Sequence, residues 1–164
     1  NIIKSDFDFF GVNFYRGFYV ENTDDGMKKI FFTPNDKITA MNWPVTPEGV
    51  EYLVKYYYER YGLPILFAEN GVAITEWKTL KGDIPDDMRI DYIRRHLTEI
   101  KKVAEKYPVI GYFYWSFMDN FEWALGYTKR FGLVYVDYET LERTPKKSAY
   151  WYKKVIETNG EDLS

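Results

Sequence analysis

The chain has no cysteine and a single histidine, His96. No disulfide framework and no thiolate metal site can form. One imidazole beside the apolar face of a helix makes no zinc site, so His96 reads as structural. No basic block stands out, and the net charge is −3 over 164 residues, which argues against nucleic acid as a partner. No run of about 18 apolar residues reads as a membrane span, and no signal-peptide pattern is seen. The expectation is a cytoplasmic protein with no membrane contact, no metal and no cofactor. Internal repeats and low-complexity stretches are also missing.

Aromatic residues are abundant: 16 Tyr, 12 Phe and 5 Trp make up 20% of the chain, and hydrophobic residues make up 46%. That is ample for a core. Most aromatic rings in a globular domain simply pack, but their faces also stack on the C–H surfaces of sugars. Three apolar runs end in polar or aromatic residues. They are Phe7–Tyr15, Ile65–Glu69 followed by Asn70-Gly71, and Val109–Trp115 followed by Ser116 and then Asp119-Asn120-Phe121-Glu122-Trp123. Such runs read as buried parallel strands. A carboxylate closing one of them has no packing reason to be there, and the C-terminal ends of barrel strands are where α/β barrels do chemistry.

Helical patterns separate the strands. Thr46 reads as an N-cap with Pro47 in the first turn, Val50, Leu53, Val54, Tyr57 and Tyr61 recur at helical spacing, and Gly62 stops the helix. A second helix carries Ile90, Ile93, Leu97, Ile100, Ala104 and Tyr107 on one face. A third opens at Pro145 and Ser148 and carries Tyr150, Trp151, Val155 and Ile156. Two hairpins are expected. One has arms Phe18–Val20 and Lys29–Phe32 around the tip Asn22–Gly26, and the other spans Phe131–Tyr138. Asn159–Ser164 reads as a frayed tail. Glu99, Lys101, Lys102, Glu105 and Lys106 form a solvated helix face, and Asp119 orders the loop after its strand. The alternation of strands and helices implies a parallel sheet with right-handed crossovers.

At this level of detail the chain resembles glycoside hydrolase family 1, the β-glucosidase family. The resemblance lies in Ala68-Glu69-Asn70-Gly71, Trp115–Trp123, Lys129–Asp137 and Asp8–Tyr15, and runs from about residue 6 to about residue 152. It implies that the whole chain, 1–164, is a single C-terminal portion of a (β/α)8 TIM barrel. That portion would hold three βα units, strands six to eight, with an inserted hairpin. A complete barrel takes about 200–250 residues or more. The resemblance also implies roles. Glu69 corresponds to the nucleophile and Tyr15 to its hydrogen-bonding tyrosine. Asn13 lies two residues earlier on the same side of its strand. Glu122 corresponds to the carboxylate that clamps two glycone hydroxyls, Trp123 to a neighbouring contact, Trp115 to the floor under the ring, Phe131 to a glycone wall and Trp43 to an aglycone wall. The variant that takes 6-phosphosugars carries serine where Glu122 stands, and a carboxylate there would repel phosphate. Ala68 in place of threonine, and Phe117-Met118 in place of a leucine pair, are departures that touch no catalytic role.

Retaining hydrolysis needs a second carboxyl group about 5–5.5 Å from the nucleophile. The family's Asn-Glu-Pro acid/base motif is not in this chain. The expected function is β-glycoside hydrolysis in which this chain supplies the nucleophile and glycone contacts and is inactive alone. The expected partners are a β-glycoside and either the N-terminal section of the same enzyme or a second copy pairing open sheet edges. The alternative is an inactive barrel fragment or a sugar-binding module.

Overall fold

The computed structural model describes residues 5–30, 33 and 35–164. Its order is β1 (Phe10–Asn13), β2 (Val20–Thr23), β3 (Gly26–Lys29), α1 (Gly49–Tyr61), β4 (Ile65–Asn70), α2 (Asp87–Ala104), β5 (Val109–Tyr114), β6 (Val134–Val136), β7 (Arg143–Pro145) and α3 (Lys147–Glu157). Strands β1, β4 and β5 form one sheet in that spatial order, and both pairings are parallel. Helix α1 connects β1 to β4, and α2 connects β4 to β5. These are successive βα units, the local geometry of part of a (β/α)8 barrel.

One face of the sheet is buried under the helices. Val12 and Phe14, Ile65 and Phe67 meet Val50 and Val54 of α1, Ile93, Leu97 and Ile100 of α2 and Val155 of α3 in a single cluster. Each fully buried side chain of this size contributes about 1.5–3 kcal/mol. The other face is bare: Phe9 is 46% exposed and Phe113 is 60% exposed. Both edge strands, β1 and β5, lack an outer neighbour among the described residues.

The first strand is shorter than the run Phe7–Tyr15, because pairing stops where the register shifts between Val12 and Asn13. The hairpin is tighter than expected: Val20–Thr23 pairs with Gly26–Lys29 across a two-residue tip, with Gly26 at φ 109°. Phe31 and Phe32, assigned to that hairpin from sequence, lie outside the described residues. Thr46 does not cap α1. Its hydroxyl accepts the Gly17 N–H at 2.6 Å, tying the loop after β1 to the helix entrance, and the helix starts at Gly49. Gly62 ends it in the left-handed conformation at φ 66°, as expected. On α2, Val103 is buried and Ala104 is exposed, so the larger side chain takes the core position. The second hairpin lies further along, pairing Val134–Val136 with Arg143–Pro145. Pro145 therefore closes a strand, and α3 starts two residues later. The tail is tied down. Arg94 Nε donates to the Leu163 carbonyl at 2.6 Å, Trp151 Nε1 to that of Ser164 at 2.7 Å and Lys101 Nζ to that of Gly160 at 2.7 Å. Glu99 and Lys102 form the expected surface pair at 2.7 Å.

A buried charge cluster locks the loops above the sheet. Arg89, Asp86, Lys146, Asp119 and Glu76 have almost no solvent exposure, and Arg130 is at their edge. Arg89 donates to Asp86 Oδ2 at 2.9 Å and to Glu76 Oε2 at 2.7 Å. It also donates to the carbonyls of Val72 at 2.6 Å and Phe131 at 3.0 Å. Lys146 bridges Glu76 and Asp119, and Asp119 also pairs with Arg130 at 2.6 Å and accepts the Gly132 N–H at 2.9 Å. Ser148, at the start of α3, donates its N–H to Asp86 at 2.8 Å. Three cations face three anions, so the desolvation of each charge is offset by partners rather than by water. Burial, and then the Arg89 charge, pull the Lys146 ammonium below its ordinary value, against Glu76 and Asp119.

His96 is buried with Nδ1 2.9 Å from the Tyr92 carbonyl, so Nδ1 carries the hydrogen. The ring stacks on Tyr92 at 4.0 Å, and Nε2 has no partner among the described residues. Burial lowers its pKa from 6.5 to about 4.

Two expectations follow. Arg89→Met leaves Glu76 and Asp86 buried with fewer partners and should cost about 3–5 kcal/mol in urea unfolding. Lys102→Ala on the solvated face should cost under about 0.5 kcal/mol, and equal losses for the two would refute the role given to the cluster. His96 binds a proton more readily unfolded than folded, so its stabilisation is complete above pH 6.5 and is lost as pH falls toward 4. The loss should reach about 3 kcal/mol. A His96→Phe variant whose stability falls as steeply over that window as the parent's would disprove it.

Candidate functional site

The C-terminal ends of β1, β4 and β5 open on the same side of the sheet. Beyond them is a cavity of about 320 Å³, lined by Tyr15, Trp43, Glu69, Trp115, Asn120, Phe121, Glu122, Trp123 and Phe131. Seven of the eight site residues expected from sequence line it. Asn13 does not: it sits opposite Glu69 in the ladder, two residues deeper along β1 than Tyr15, and is solvent-exposed. Asn120 and Phe121 are additional lining residues that no spacing argument had singled out.

Glu69 is delivered by β4, whose apolar residues anchor it beneath the helices. Tyr15 comes from the chain just past β1, and its hydroxyl donates to Glu69 Oε2 at 2.7 Å. Burial first, and then the bond to the Glu69 carboxylate, raise the Tyr15 pKa. The phenol therefore keeps its proton and acts as a fixed donor. Glu122 also lies above the ordinary carboxylate range, through burial and the negative charge of Glu69. Trp43 lies 5.5 Å from Tyr15 and 6.4 Å from Phe131, so three rings form one wall. Trp123 is 82% exposed at the rim.

Asn70 and Gly71 explain why Glu69 is held so firmly. Asn70 is fully buried. Its Nδ2 donates to the Phe14 carbonyl at 2.6 Å, and its Oδ1 accepts from the Tyr112 hydroxyl at 2.8 Å, so one amide joins all three parallel strands. Gly71 is required by close approach rather than by positive φ. A Cβ there would fall 1.8 Å from the Trp115 carbonyl oxygen. This packs the ends of β4 and β5 together and sets Trp115 beside Glu69. Phe131 is held from behind, because Arg89 Nη1 and the Tyr114 hydroxyl both donate to its carbonyl, at 3.0 and 2.9 Å. Asp119 is the loop-ordering residue expected of it, with Gly132, Arg130 and Lys146 as partners.

Sequence reasoning missed Arg89, Glu76 and Lys146. Arg89 carried a legible signal, because it occupies the same helical face as Ile93, Leu97 and Ile100. A cation at a core position needs buried partners. Glu76 and Lys146 sit in irregular segments and carried none. Among the described residues, no group of three potential metal ligands comes together, and no helix is long and apolar enough to cross a membrane.

The arrangement is suited to holding a pyranose: one carboxylate fixed by a phenol, a second nearby and aromatic faces around both. Comparison with known proteins agrees. The model of glycosyl hydrolase family 1 matches residues 1–161. Beta-glucosidase A of Thermotoga maritima is 43% identical over 161 residues, which cover 96% of this chain and 36% of that protein. Beta-glucosidase 26 of Oryza sativa subsp. japonica is 36% identical over 94% of this chain and 34% of its own length. Among solved structures, a family 1 β-glucosidase from Thermotoga maritima superposes with a TM-score of 0.88 at 40% identity, over 96% of this chain and 36% of that one. The same organism's β-glucosidase in complex with glucoimidazole gives 0.87 at 41% identity, covering 94% of this chain and 36% of that one. The chain thus spans about a third of the length of the relatives it matches, and across nearly all of its own length it belongs to glycosyl hydrolase family 1.

Proposed function

We propose that this chain is the portion of a retaining β-glycosidase that carries the nucleophile and the glycone contacts. The observation that supports it most is the Tyr15–Glu69 hydrogen bond at a strand end, inside an aromatic-walled cavity. In this reading Glu69 attacks the anomeric carbon as the glycosidic C–O bond breaks, giving a glycosyl ester that water then hydrolyses. Tyr15 holds Glu69 in one orientation. Glu122 accepts hydrogen bonds from glycone hydroxyls, and Trp115, Trp123 and Phe131 enclose the ring.

The leaving oxygen needs a proton donor. Of the carboxylates lining the cavity, Glu69 is the nucleophile and Glu122 is the hydroxyl clamp, so the acid/base group comes from outside these residues. The edges of β1 and β5, unpaired among the described residues, and the bare sheet face carrying Phe9 and Phe113 fit the rest of a barrel. The partner is therefore an N-terminal section of the same enzyme, with a second copy of the chain as the other way to cover those edges. Alone, the chain is an inactive barrel portion that retains sugar contacts.

Residues 1–164 expressed alone should not turn over an aryl β-glucoside. With the complementary section present, hydrolysis should appear, and Glu69→Gln should abolish it. A 2-fluoro-glycoside should then add its mass to the peptide containing Glu69. Labelling of another carboxylate, with Glu69→Gln still active, refutes the nucleophile assignment. Glu122→Ser removes a clamp used in the transition state and should lower kcat and kcat/KM by about 100-fold or more on a plain glucoside. It should also narrow the gap between plain and 6-phosphorylated substrates. An unchanged ratio of the two would exclude the role given to Glu122.

A further inference from the structure

Tyr92 of α2 is buried and takes no part in the reaction described above. Its hydroxyl donates to the Tyr15 carbonyl at 2.9 Å and accepts from Asn70 Nδ2 at 3.1 Å. The direction of these bonds is fixed. Asn70 presents its NH2 group on this side, because Nδ2 also faces the Phe14 carbonyl at 2.6 Å, and a carbonyl can only accept. Burial raises the Tyr92 pKa, so the phenol keeps its proton, and the Tyr15 carbonyl is the acceptor left for it. Tyr15 needs such an anchor. It lies two residues past the end of β1, and the backbone pairing of that run ends with the Phe14 N–H on the Glu69 carbonyl at 2.8 Å. Among the described residues, the Tyr92 hydroxyl is the one hydrogen-bond partner of the Tyr15 backbone. The Tyr15 phenol is likewise the one hydrogen-bond partner of the Glu69 carboxylate among those residues.

Helix α2 lines no part of the cavity, yet it holds two of the wall residues from behind. Arg89 donates to the Phe131 carbonyl at 3.0 Å, and one turn later Tyr92 donates to the Tyr15 carbonyl. The Tyr15 and Phe131 rings placed in this way meet edge to face at 6.0 Å. Tyr92 itself is fixed in the core, with its ring stacked on His96 at 4.0 Å. Resting on the functional reading above, which makes Glu69 the nucleophile, we propose that Tyr92 is a positioning residue for the attack on the anomeric carbon. Its hydroxyl pins the Tyr15 backbone, so that the Tyr15 phenol stays on Glu69 Oε2 and the carboxylate keeps one orientation. A misplacement of about 1 Å at a reacting group can cost about 100-fold in rate. The Tyr92 bond therefore acts on the attack rather than on binding of the sugar.

The test follows the attack itself, on the chain assembled with its complementary barrel section. The probe is 2,4-dinitrophenyl 2-deoxy-2-fluoro-β-D-glucoside. A Glu69 oxygen bonds to the anomeric carbon as the glycosidic C–O bond breaks, and dinitrophenolate leaves with the electron pair, so no proton donor is needed. Tyr92→Phe should lower the labelling rate constant about tenfold and leave the dissociation constant of the probe within about twofold of the parent's. In a Tyr15→Phe background the same substitution should change the rate constant by less than about twofold, because Tyr92 acts through the Tyr15 phenol. His96→Phe alters the packing under the Tyr92 ring but keeps the hydroxyl, and should leave the rate constant within about twofold of the parent's. Rate constants counted per labelled site keep the reading valid for a variant that assembles only in part, and Tyr92→Met supplies it if the Phe variant does not assemble. A merely structural Tyr92 would lower the number of labelled sites and leave their rate constant unchanged, and that result overturns the proposal. A full Tyr92→Phe effect in the Tyr15→Phe background overturns it too, as does an equal loss in His96→Phe. A parent that is not labelled at Glu69 overturns the hydrolase reading, whereas a labelled parent indifferent to Tyr92→Phe overturns the Tyr92 assignment alone.

Discussion

The structure depends on burying five charges where water cannot reach them, with a sixth at their edge. Arg89, Lys146 and Arg130 face Glu76, Asp86 and Asp119, and each group is satisfied only when segments far apart in sequence come together. A buried charge without its partner costs several kcal/mol, so the cluster tolerates few arrangements. Its members come from the β4–α2 loop, α2, the long loop after β5 and the entrance to α3. Closing the cluster therefore fixes the loops that surround the cavity. The Phe131 carbonyl is held by Arg89, and Asp119 stands at the root of the segment that carries Asn120, Phe121 and Glu122.

Beneath this cluster the parallel sheet supplies the second requirement, a rigid base for Glu69. Asn70 joins the three strands through one buried amide, and Gly71 admits the Trp115 carbonyl where any side chain would collide. The nucleophile candidate is thus mounted on the most tightly determined stretch of the chain. Trp43 and Trp123, which line the cavity, lie on loops outside the strands. A stable base with adaptable loops is the usual division of labour in strand-end sites.

The periodic parts of the fold were legible because burial on one face imposes a period. Val12 and Phe14 alternate with exposed positions, and Ile93, Leu97 and Ile100 recur each helical turn. Boundaries were less legible. Thr46 has the chemistry of a cap, yet its hydroxyl serves Gly17 instead, a competition that only tertiary contacts decide. Pro145 looked like a helix opener and closes a strand, because its pairing with Val134 lies across a turn whose length the alternation did not reveal. The tail lacked apolar periodicity and was read as frayed, but it is held by side chains of α2 and α3 reaching its carbonyls.

The amino-acid order alone determined the class of fold, the three strand ends and seven of the nine residues that line the cavity, because hydrophobic period and a motif of unusual length are local properties. Only the tertiary structure decided the rest. It drew Tyr15 onto Glu69 across 54 residues, left Asn13 outside the cavity and recruited Asn120 and Phe121 to its wall. It also brought Arg89, Glu76 and Lys146 into one buried cluster and set Arg16 over the Trp43 ring. These outcomes depend on pairings between distant segments, where the energy lies in satisfying a buried charge or hydrogen bond rather than in any propensity of the residues that make it.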